Sequence, residues 1–186
     1  MDTKIMVGVP SGGTIKAKTA TTLVGLAQLP NTIFHFRHGN FSFENREKLA
    51  DAAVQLNCSH LFLVDGDMSF DPHVLTQLLA LDKDIVGANY HYRYLPLENT
   101  VRLLGSMTGE LPKEPFQCYS VPSGCTLIKT KVFRTLQKPY YTWEQDQQGN
   151  ISATEDVLFC ERANQAGFEV WCDPTLSVQH IGDFLY

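Results

Sequence analysis

The chain alternates short, unbroken apolar runs with longer segments in which apolar residues recur every three or four positions. The clearest run, at 61–64, has four apolar residues without alternation, which predicts a strand buried on both faces of an α/β sheet. Comparable runs recur along the chain, so we predict an α/β fold. Strands are predicted at 4–9, 31–36, 61–64, 84–88, 125–128, 168–172 and 176–180.

Helical spacing of apolar residues fills most of the segments between those strands. Asp71 before Pro72 predicts an N-cap with proline at the first helical position, which makes Asp71 a structural residue rather than a third metal ligand. Gly167 predicts the end of the last helix. The predicted helices run from the turn at 10–13 to 29, and over 43–56, 72–79, 131–136 and 154–165.

Two segments lack a long periodic pattern. Between 101 and 121, short alternating pieces broken by Gly and Pro predict a small antiparallel addition to the sheet. The segment 138–153 is polar and aromatic, and loops of this length are often lids or binding loops. Trp143 is our candidate there for a contact with an acceptor, and packing of the loop itself is the alternative.

Composition indicates a single soluble domain over residues 1–186. Hydrophobic residues make up 44% of the chain and charged residues 19%, and the net charge of -5 with scattered basic residues argues against nucleic acid as a partner. Five cysteines without a Cys-x-x-Cys pair predict buried free thiols in a reducing compartment. No signal-peptide pattern or membrane span is recognised, so a cytoplasmic location is expected.

The sharpest chemical signal is the sequence Asp65-Gly66-Asp67 directly after the strand at 61–64. Carboxylates there lie in the crevice beyond the carboxyl end of the strand, where open α/β sheets bind ligands. Two neighbouring carboxylates need a cation or a proton to offset their repulsion, and oxygen ligands suit Mg²⁺ or Mn²⁺ together with substrate phosphates. The alternative is an ordinary Asp-Gly turn with solvated charges.

Other candidate residues are distributed along the chain. The first predicted strand leads into Pro10 and Ser11 and a glycine-bearing turn before a helix, which favours phosphate or base binding but also fits an ordinary turn. Arg46 precedes an apolar helical face and could act as a phosphate ligand, as a partner for an aspartate or as half of a surface salt bridge. Arg93 lies among tyrosines at a strand end, where it could hold a phosphate or belong to a half-buried edge.

The last predicted helix begins with two carboxylates, Glu155 and Asp156. In the first turn they complement the helix dipole, which is the structural interpretation. The functional interpretation is that one of them faces a cleft as a base. His180 ends the last predicted strand, a position that is usually structural or solvated.

Taken in order, these motifs resemble the GT-A fold glycosyltransferases, particularly the family-2-like inverting group. The resemblance covers nearly the whole chain and implies a Rossmann-like, mixed, mostly parallel sheet flanked by helices. Its motifs are the first strand ending at Pro10, the acidic sequence at 65–67, and the segments 121–128, 154–159, 166–168 and 173–182.

The resemblance implies a nucleotide-sugar donor, a UDP- or GDP-sugar, bound across the ends of the first strands. Pro10 and Ser11 would border the base and ribose, Asp65 would contact the ribose or the metal, and Gly66 would lie beside it. Arg46 matches a basic position near the donor, and the backbone of Gly124 would line the sugar pocket.

The resemblance also implies a divalent ion and a base. Asp67 would hold Mn²⁺ or Mg²⁺, with Asp65 and His180 as further ligands. Asp156, next to Glu155, matches the base that removes a proton from a hydroxyl acceptor on a glycan, a lipid-linked molecule or a protein.

Two alternatives remain open on the sequence alone. A sugar-phosphate nucleotidyltransferase would use a similar acidic site, but it normally shows more Gly, Arg and Lys after the first strand than Lys16 and Lys18 provide. A non-catalytic module that binds a nucleotide or a glycan is the other. The Gln-x-x-Arg-Trp sequence of processive synthases does not follow Asp156, which favours transfer of a single sugar.

Overall fold

A computed structural model describes residues 3–105 and 110–182 of the chain. Strands and helices alternate through most of it, as the apolar pattern predicts. In chain order the elements are β1 (Ile5–Ser11), α1 (Ala17–Leu26), β2 (Thr32–His38), α2 (Ser42–Gln55), β3 (His60–Val64), β4 (Met68–Phe70), α3 (His73–Ala80), β5 (Ile85–Ala88), β6 (Phe116–Gln117), β7 (Cys125–Lys129), α4 (Thr130–Thr135), β8 (Glu144–Gln145), β9 (Ile151–Ala153), α5 (Glu155–Gln165), β10 (Val170–Asp173) and β11 (Val178–His180).

The central sheet has seven strands in the order β2-β1-β3-β7-β5-β10-β6. Strands β1, β2, β3, β5 and β10 run in one direction, whereas β7 and β6 run in the opposite one. The fold is therefore a mixed α/β architecture with a mostly parallel sheet flanked by helices, as predicted.

Apolar residues on the two faces of the sheet form two separate cores. In β3, Leu61 and Leu63 belong to one core, while Phe62 and Val64 belong to the other. Successive side chains of a strand point to opposite faces, so a strand covered on both sides needs apolar residues at every position. Helices α2, α4 and α5 contribute to the first core, and α1 and α3 to the second.

Several local predictions are confirmed. The Asp71 carboxylate accepts a hydrogen bond from the backbone N–H of His73 at 2.8 Å, so it caps the first turn of α3. Gly167 has a φ of 89°, and the N–H of Phe168 donates to the carbonyl of Ala163 at the end of α5. All five cysteines are buried and free.

The first helix begins later than the sequence predicts. Residues 12–16 are not helical because the Ser11 hydroxyl accepts a hydrogen bond from Gly13 and donates one to the Thr14 carbonyl. The N–H of Lys16 then donates to the Gly66 carbonyl at 2.8 Å. These bonds fix an extended loop between β1 and α1, and α1 ends at Leu26 rather than at 29.

The predicted antiparallel addition is confirmed, and further antiparallel pairs lie elsewhere in the chain. Within the segment 101–121, of which 106–109 lie outside the described residues, β6 pairs with β10 and Arg102 forms a bridge with Ser120. Two further antiparallel pairs are β4 with β11 and β8 with β9. The segment 138–153, which we predicted as a loop, therefore contains a short hairpin. In the part of the chain that the structure describes, no helix is long and apolar enough to cross a membrane.

Candidate functional site

The carboxyl ends of β1 and β3 meet at one edge of the sheet, because these strands are parallel neighbours. The Asp65-Gly66-Asp67 sequence forms a tight turn there, in which the N–H of Met68 donates to the Asp65 carbonyl at 3.2 Å. The turn joins β3 to β4. The two carboxylates of the turn contact different partners.

Asp65 is bound by Arg46, which comes from α2. Nη2 of Arg46 lies 2.7 Å from Oδ1 and 2.8 Å from Oδ2 of Asp65. Burial raises the pKa of the Asp65 carboxyl, and the opposing charge of Arg46 does not cancel that effect. Of the roles considered for Arg46, the structure favours that of a partner for an aspartate.

Glu155 is the second acidic partner of Arg46. Its Oε1 accepts a hydrogen bond from Nη1 of Arg46 and another, at 2.7 Å, from the hydroxyl of Ser42. Burial alone would lower the pKa of Arg46, but the charges of Asp65 and Glu155 raise it. The start of α5 is thus tied to α2 and to the end of β3. Nothing in the sequence pointed to Ser42.

Asp67 faces the other way and contacts His180 and Arg93. Its Oδ2 lies 2.9 Å from Nη1 of Arg93 and 3.3 Å from Nε2 of His180. Burial alone would raise the pKa of Asp67, but the hydrogen bond and charge of His180 and the charge of Arg93 lower it. The pairing of β4 with β11 explains the contact with His180, since it places His180 opposite Met68.

A hydrogen bond to the backbone fixes the orientation of the His180 ring. Its Nδ1 lies 3.1 Å from the carbonyl oxygen of His91. Because a carbonyl only accepts hydrogen bonds, Nδ1 carries a proton, and in a neutral ring Nε2 presents its lone pair to Asp67. When Nε2 is protonated as well, the charged ring donates a hydrogen bond to Asp67; when it is not, a lone pair faces the carboxylate, and a cation between the two would offset their repulsion. A second hydrogen bond of this kind also orients most histidines that bind metals.

The predicted metal ligands fall into two groups. Asp67 and His180 are in contact, whereas the Asp65 carboxylate is held by Arg46. Among residues 3–105 and 110–182, no group of three or more His, Cys, Asp or Glu side chains is arranged to hold a metal ion. Asp67 and His180 alone would fit an ion that takes its remaining ligands from substrate phosphates and water. That Asp65 and Asp67 share a cation stays a prediction.

A cleft of about 310 Å³ opens beside this edge of the sheet. Its walls come from the end of β1, the loop before α1, the start of α2 and the acidic turn. Most of the predicted donor-binding residues therefore share one cavity. The lining residues are Pro10, Ser11, Gly12, Thr14, Lys16, Gly39, Asn40, Ser42, Asn45, Arg46, Asp65, Gly66 and Asp67.

Gly124 lies against Asp65, at the position where β7 pairs with β3. Its carbonyl accepts a hydrogen bond from the N–H of Asp65 at 3.1 Å, and its own N–H lies 3.1 Å from the hydroxyl oxygen of Tyr90. A Cβ atom at this position would overlap that hydroxyl and lie 3.1 Å from Oδ2 of Asp65. Burial, followed by the charge of Asp65, raises the pKa of Tyr90 well above its usual value. No sequence pattern distinguishes this buried tyrosine from the other aromatic residues near it.

Asp156 occupies the first turn of α5 near the same edge. Its Oδ1 accepts hydrogen bonds from the Thr154 hydroxyl at 2.5 Å and from the N–H of Val157 at 2.9 Å. Its charge acts on both Arg46 and Tyr90, whose pKa values it helps to raise. The described residues form no hydrogen bond to Oδ2 of Asp156.

Trp143 lies outside this edge of the sheet, in the segment before the hairpin of β8 and β9. Its ring stacks on Phe43 at 5.7 Å between centroids, and Phe43 in turn contacts Phe41 at 5.5 Å. Since Trp143 is 42% exposed, both of the interpretations given for it remain open.

No protein-family model and no curated protein matches the sequence. A solved structure, A197 from STIV, is similar in fold. Its TM-score is 0.71 over 97% of this chain and 86% of that chain, with 17% sequence identity. At that identity the likeness supports the α/β fold alone, which agrees with the mixed, mostly parallel sheet described above.

Proposed function

We propose that this protein is a glycosyltransferase that moves one sugar from a nucleotide-diphosphate sugar to a hydroxyl acceptor with the help of a divalent ion. The observation that carries the proposal is the contact between Oδ2 of Asp67 and Nε2 of His180, which are 3.3 Å apart. Asp67 lines the cleft at this point. When Nε2 of His180 carries no proton, it and the Asp67 carboxylate are both ligands for a divalent ion, and they lie close enough to share one.

The cleft suits the donor. Pro10 and Ser11 would border the base and ribose, while Asp67 would lie near the diphosphate. Arg93 is half exposed and already reaches Asp67, so its guanidinium would also be available to phosphate oxygens. The resemblance to GT-A enzymes agrees with this direction of binding.

Departure of the nucleoside diphosphate leaves negative charge on its oxygens. Mn²⁺ or Mg²⁺ held by Asp67 and His180 would supply Lewis-acid stabilisation of that charge. Arg93 would neutralise part of it through charge-assisted hydrogen bonds. The backbone of Gly124 would line the sugar pocket next to Asp65, at a position where a Cβ atom would overlap the Tyr90 hydroxyl.

Asp156 is the proposed general base. Its Oδ1 is engaged within the first turn of α5, which fixes the orientation of the carboxylate, and Oδ2 would take the proton of the acceptor hydroxyl. Glu155 would act as a positioning residue, because its carboxylate is already bound by Arg46 and Ser42. The proposed stereochemical outcome is inversion, with Asp156 opposite the diphosphate.

One observation favours a second candidate, a non-catalytic module that binds a nucleotide or a glycan. Arg46 is paired with Asp65 and Arg93 with Asp67, so both carboxylates of the acidic turn have a cationic partner without any metal. Such a module would bind the nucleotide sugar but neither hydrolyse nor transfer it.

A thermal-shift screen tests the proposal. UDP- and GDP-sugars are added with and without Mn²⁺, and one donor at 100 times its dissociation constant is expected to add about 2.7 kcal/mol of stability. The His180→Gln variant is expected to lose the Mn²⁺-dependent part of that gain. His73→Gln is the matched control. His73 is exposed on α3, does not line the cleft and is not one of the partners of Asp67 described above.

Product analysis then separates the candidates. Release of a nucleoside diphosphate supports glycosyl transfer, whereas release of pyrophosphate would identify a nucleotidyltransferase. Donor binding without turnover over a broad acceptor panel would indicate the binding module. No stabilisation by any donor, with or without Mn²⁺, would contradict the proposal.

A further inference from the structure

A second cavity, of about 620 Å³, adjoins the donor cleft. The two share a boundary at Asp67, because Asp67 lines the cleft while its partners Arg93 and His180 line the second cavity. The volume lies within the range of cavities that bind small molecules. A ligand here would therefore lie next to the expected position of the donor.

The cavity is polar at one end and apolar at the other. Arg93 and His180 form the polar end next to Asp67. The apolar end is formed by two tyrosines and two leucines of the segment 92–97. Leu95 is 79% exposed and Leu97 is 63% exposed, so large apolar surfaces at this end face solvent. Clustered exposure of this kind often marks a binding site.

The apolar end is built on a fixed backbone. Tyr92 and Tyr94 stack with their ring centroids 5.3 Å apart and their planes 15° from parallel. The N–H of Tyr92 donates to the Glu98 carbonyl at 3.1 Å, and the Tyr94 hydroxyl donates to the Glu98 carboxylate at 3.0 Å. These bonds close the segment on itself and keep its aromatic and aliphatic side chains together.

From this arrangement we infer that the second cavity binds the acceptor, and that the acceptor carries an apolar alkyl or aryl group. The inference rests on the proposed function. The apolar group would cover Tyr94, Leu95 and Leu97, and the reacting hydroxyl would extend beyond this cavity, past the diphosphate, to the proposed base Asp156. A free sugar would leave those leucines exposed, so it would gain little from this end of the cavity.

Alkyl β-glucosides are direct probes of this inference. A series from methyl to octyl, used below the critical micelle concentration, is titrated into the full chain by calorimetry or by NMR. Each methylene that becomes buried is expected to tighten binding by at most about fourfold. Glucose and methyl glucoside are expected to bind weakly, and octyl glucoside the most tightly.

The double variant Leu95→Ser/Leu97→Ser is expected to reduce the increase in affinity with alkyl chain length. Val24→Ser is the matched control, because Val24 is 64% exposed on α1 and lines neither cavity. It should leave the dependence unchanged. If Val24→Ser weakens octyl glucoside as much as the double variant does, the binding is general adsorption and the inference is overturned.

Donor binding separates this inference from the proposed function. If the double variant loses nucleotide-sugar binding to the same extent, the cavity belongs to the donor and the inference is overturned. If no donor binds the parent chain but the dependence on chain length persists, the apolar site stands while the proposed function falls. An affinity independent of chain length in the parent chain would also overturn the inference.

Discussion

Arg46 holds both oxygens of Asp65 through a single nitrogen, Nη2, at 2.7 and 2.8 Å. The other terminal nitrogen of the guanidinium binds Glu155. One buried side chain therefore connects α2 with the end of β3 and with the start of α5. The placement of Asp156 depends on this connection, because Asp156 directly follows Glu155 in the first turn of α5.

Replacing Arg46 with Met is expected to destabilise the protein strongly. The substitution keeps much of the side-chain volume but leaves the partly buried carboxylates of Asp65 and Glu155 without their cation, and breaking a buried ion pair typically costs about 3–5 kcal/mol. Urea unfolding followed by circular dichroism measures the change. Adding Asp65→Asn to Arg46→Met should recover part of the loss, because it removes one unpaired charge.

Lys48→Met is the matched control for Arg46→Met. Lys48 lies on the same helix, and its pair with Glu44 is exposed, with 3.9 Å between the charged atoms. Exposed pairs contribute about 0–1 kcal/mol, so this variant should unfold almost as the parent does. Equal effects of the two substitutions would show that the buried network contributes no more than a surface pair.

Gly124→Ala is expected to disturb the site through contact rather than charge. The added methyl group would overlap the Tyr90 hydroxyl, and inserting a methyl group into a packed region typically costs about 1–3 kcal/mol. Stability and donor affinity should both decrease, as measured by urea unfolding and by donor-dependent thermal shift.

Two further variants make the Gly124 prediction specific. Tyr90→Phe removes the hydroxyl that the methyl group would overlap, so Gly124→Ala should cost less in that background. Gly12→Ala, where a Cβ meets nothing within 4 Å, should leave stability nearly unchanged. If Gly124→Ala lowers the free energy of unfolding by the same amount with and without the Tyr90 hydroxyl, overlap with that hydroxyl is not the cause.

The fold was predictable where local sequence and tertiary packing agree. Strand β3 after its first residue, His60, and all of β5 are apolar because both faces of the sheet are covered. Strand β4 was not predicted, since its three residues become a strand only by pairing with β11, more than a hundred positions later. The direction of β7, antiparallel to both its neighbours, is likewise set by the topology of the sheet rather than by its own residues.

The candidate site was predictable in position but not in its pairings. The acidic turn after β3 follows from an apolar run ending in two carboxylates. That Arg46 binds Asp65 and Arg93 binds Asp67 depends on how α2 and the segment after β5 pack against the turn. Sequence reasoning offered several roles for each arginine, and only the packing distinguishes them.

The cysteines are expected to resist modification in the folded protein. Burial raises the pKa of Cys160 and of Cys172 to about 12, so at pH 8 only about one thiol in 10⁴ is the reactive thiolate. Burial also raises the pKa of Cys58, Cys118 and Cys125. Mixing with DTNB should therefore give slow labelling in buffer and rapid labelling of five thiols in urea. Rapid labelling of any cysteine in the folded protein would show that this thiol is accessible to solvent rather than buried.

Asp156→Asn is expected to retain donor binding but lose sugar transfer. The amide keeps the size of the side chain and can accept hydrogen bonds from Thr154 and Val157, but it cannot take a proton from the acceptor. General bases typically contribute about 10²–10⁴-fold, so the rate of transfer should fall by that factor while the donor-dependent thermal shift is kept. Asp71→Asn is the matched control, because Asp71 caps α3 outside both cavities and asparagine also caps helices well. Transfer by Asp156→Asn at the rate of the parent would exclude Asp156 as the base, and loss of donor binding would instead assign it to the donor site.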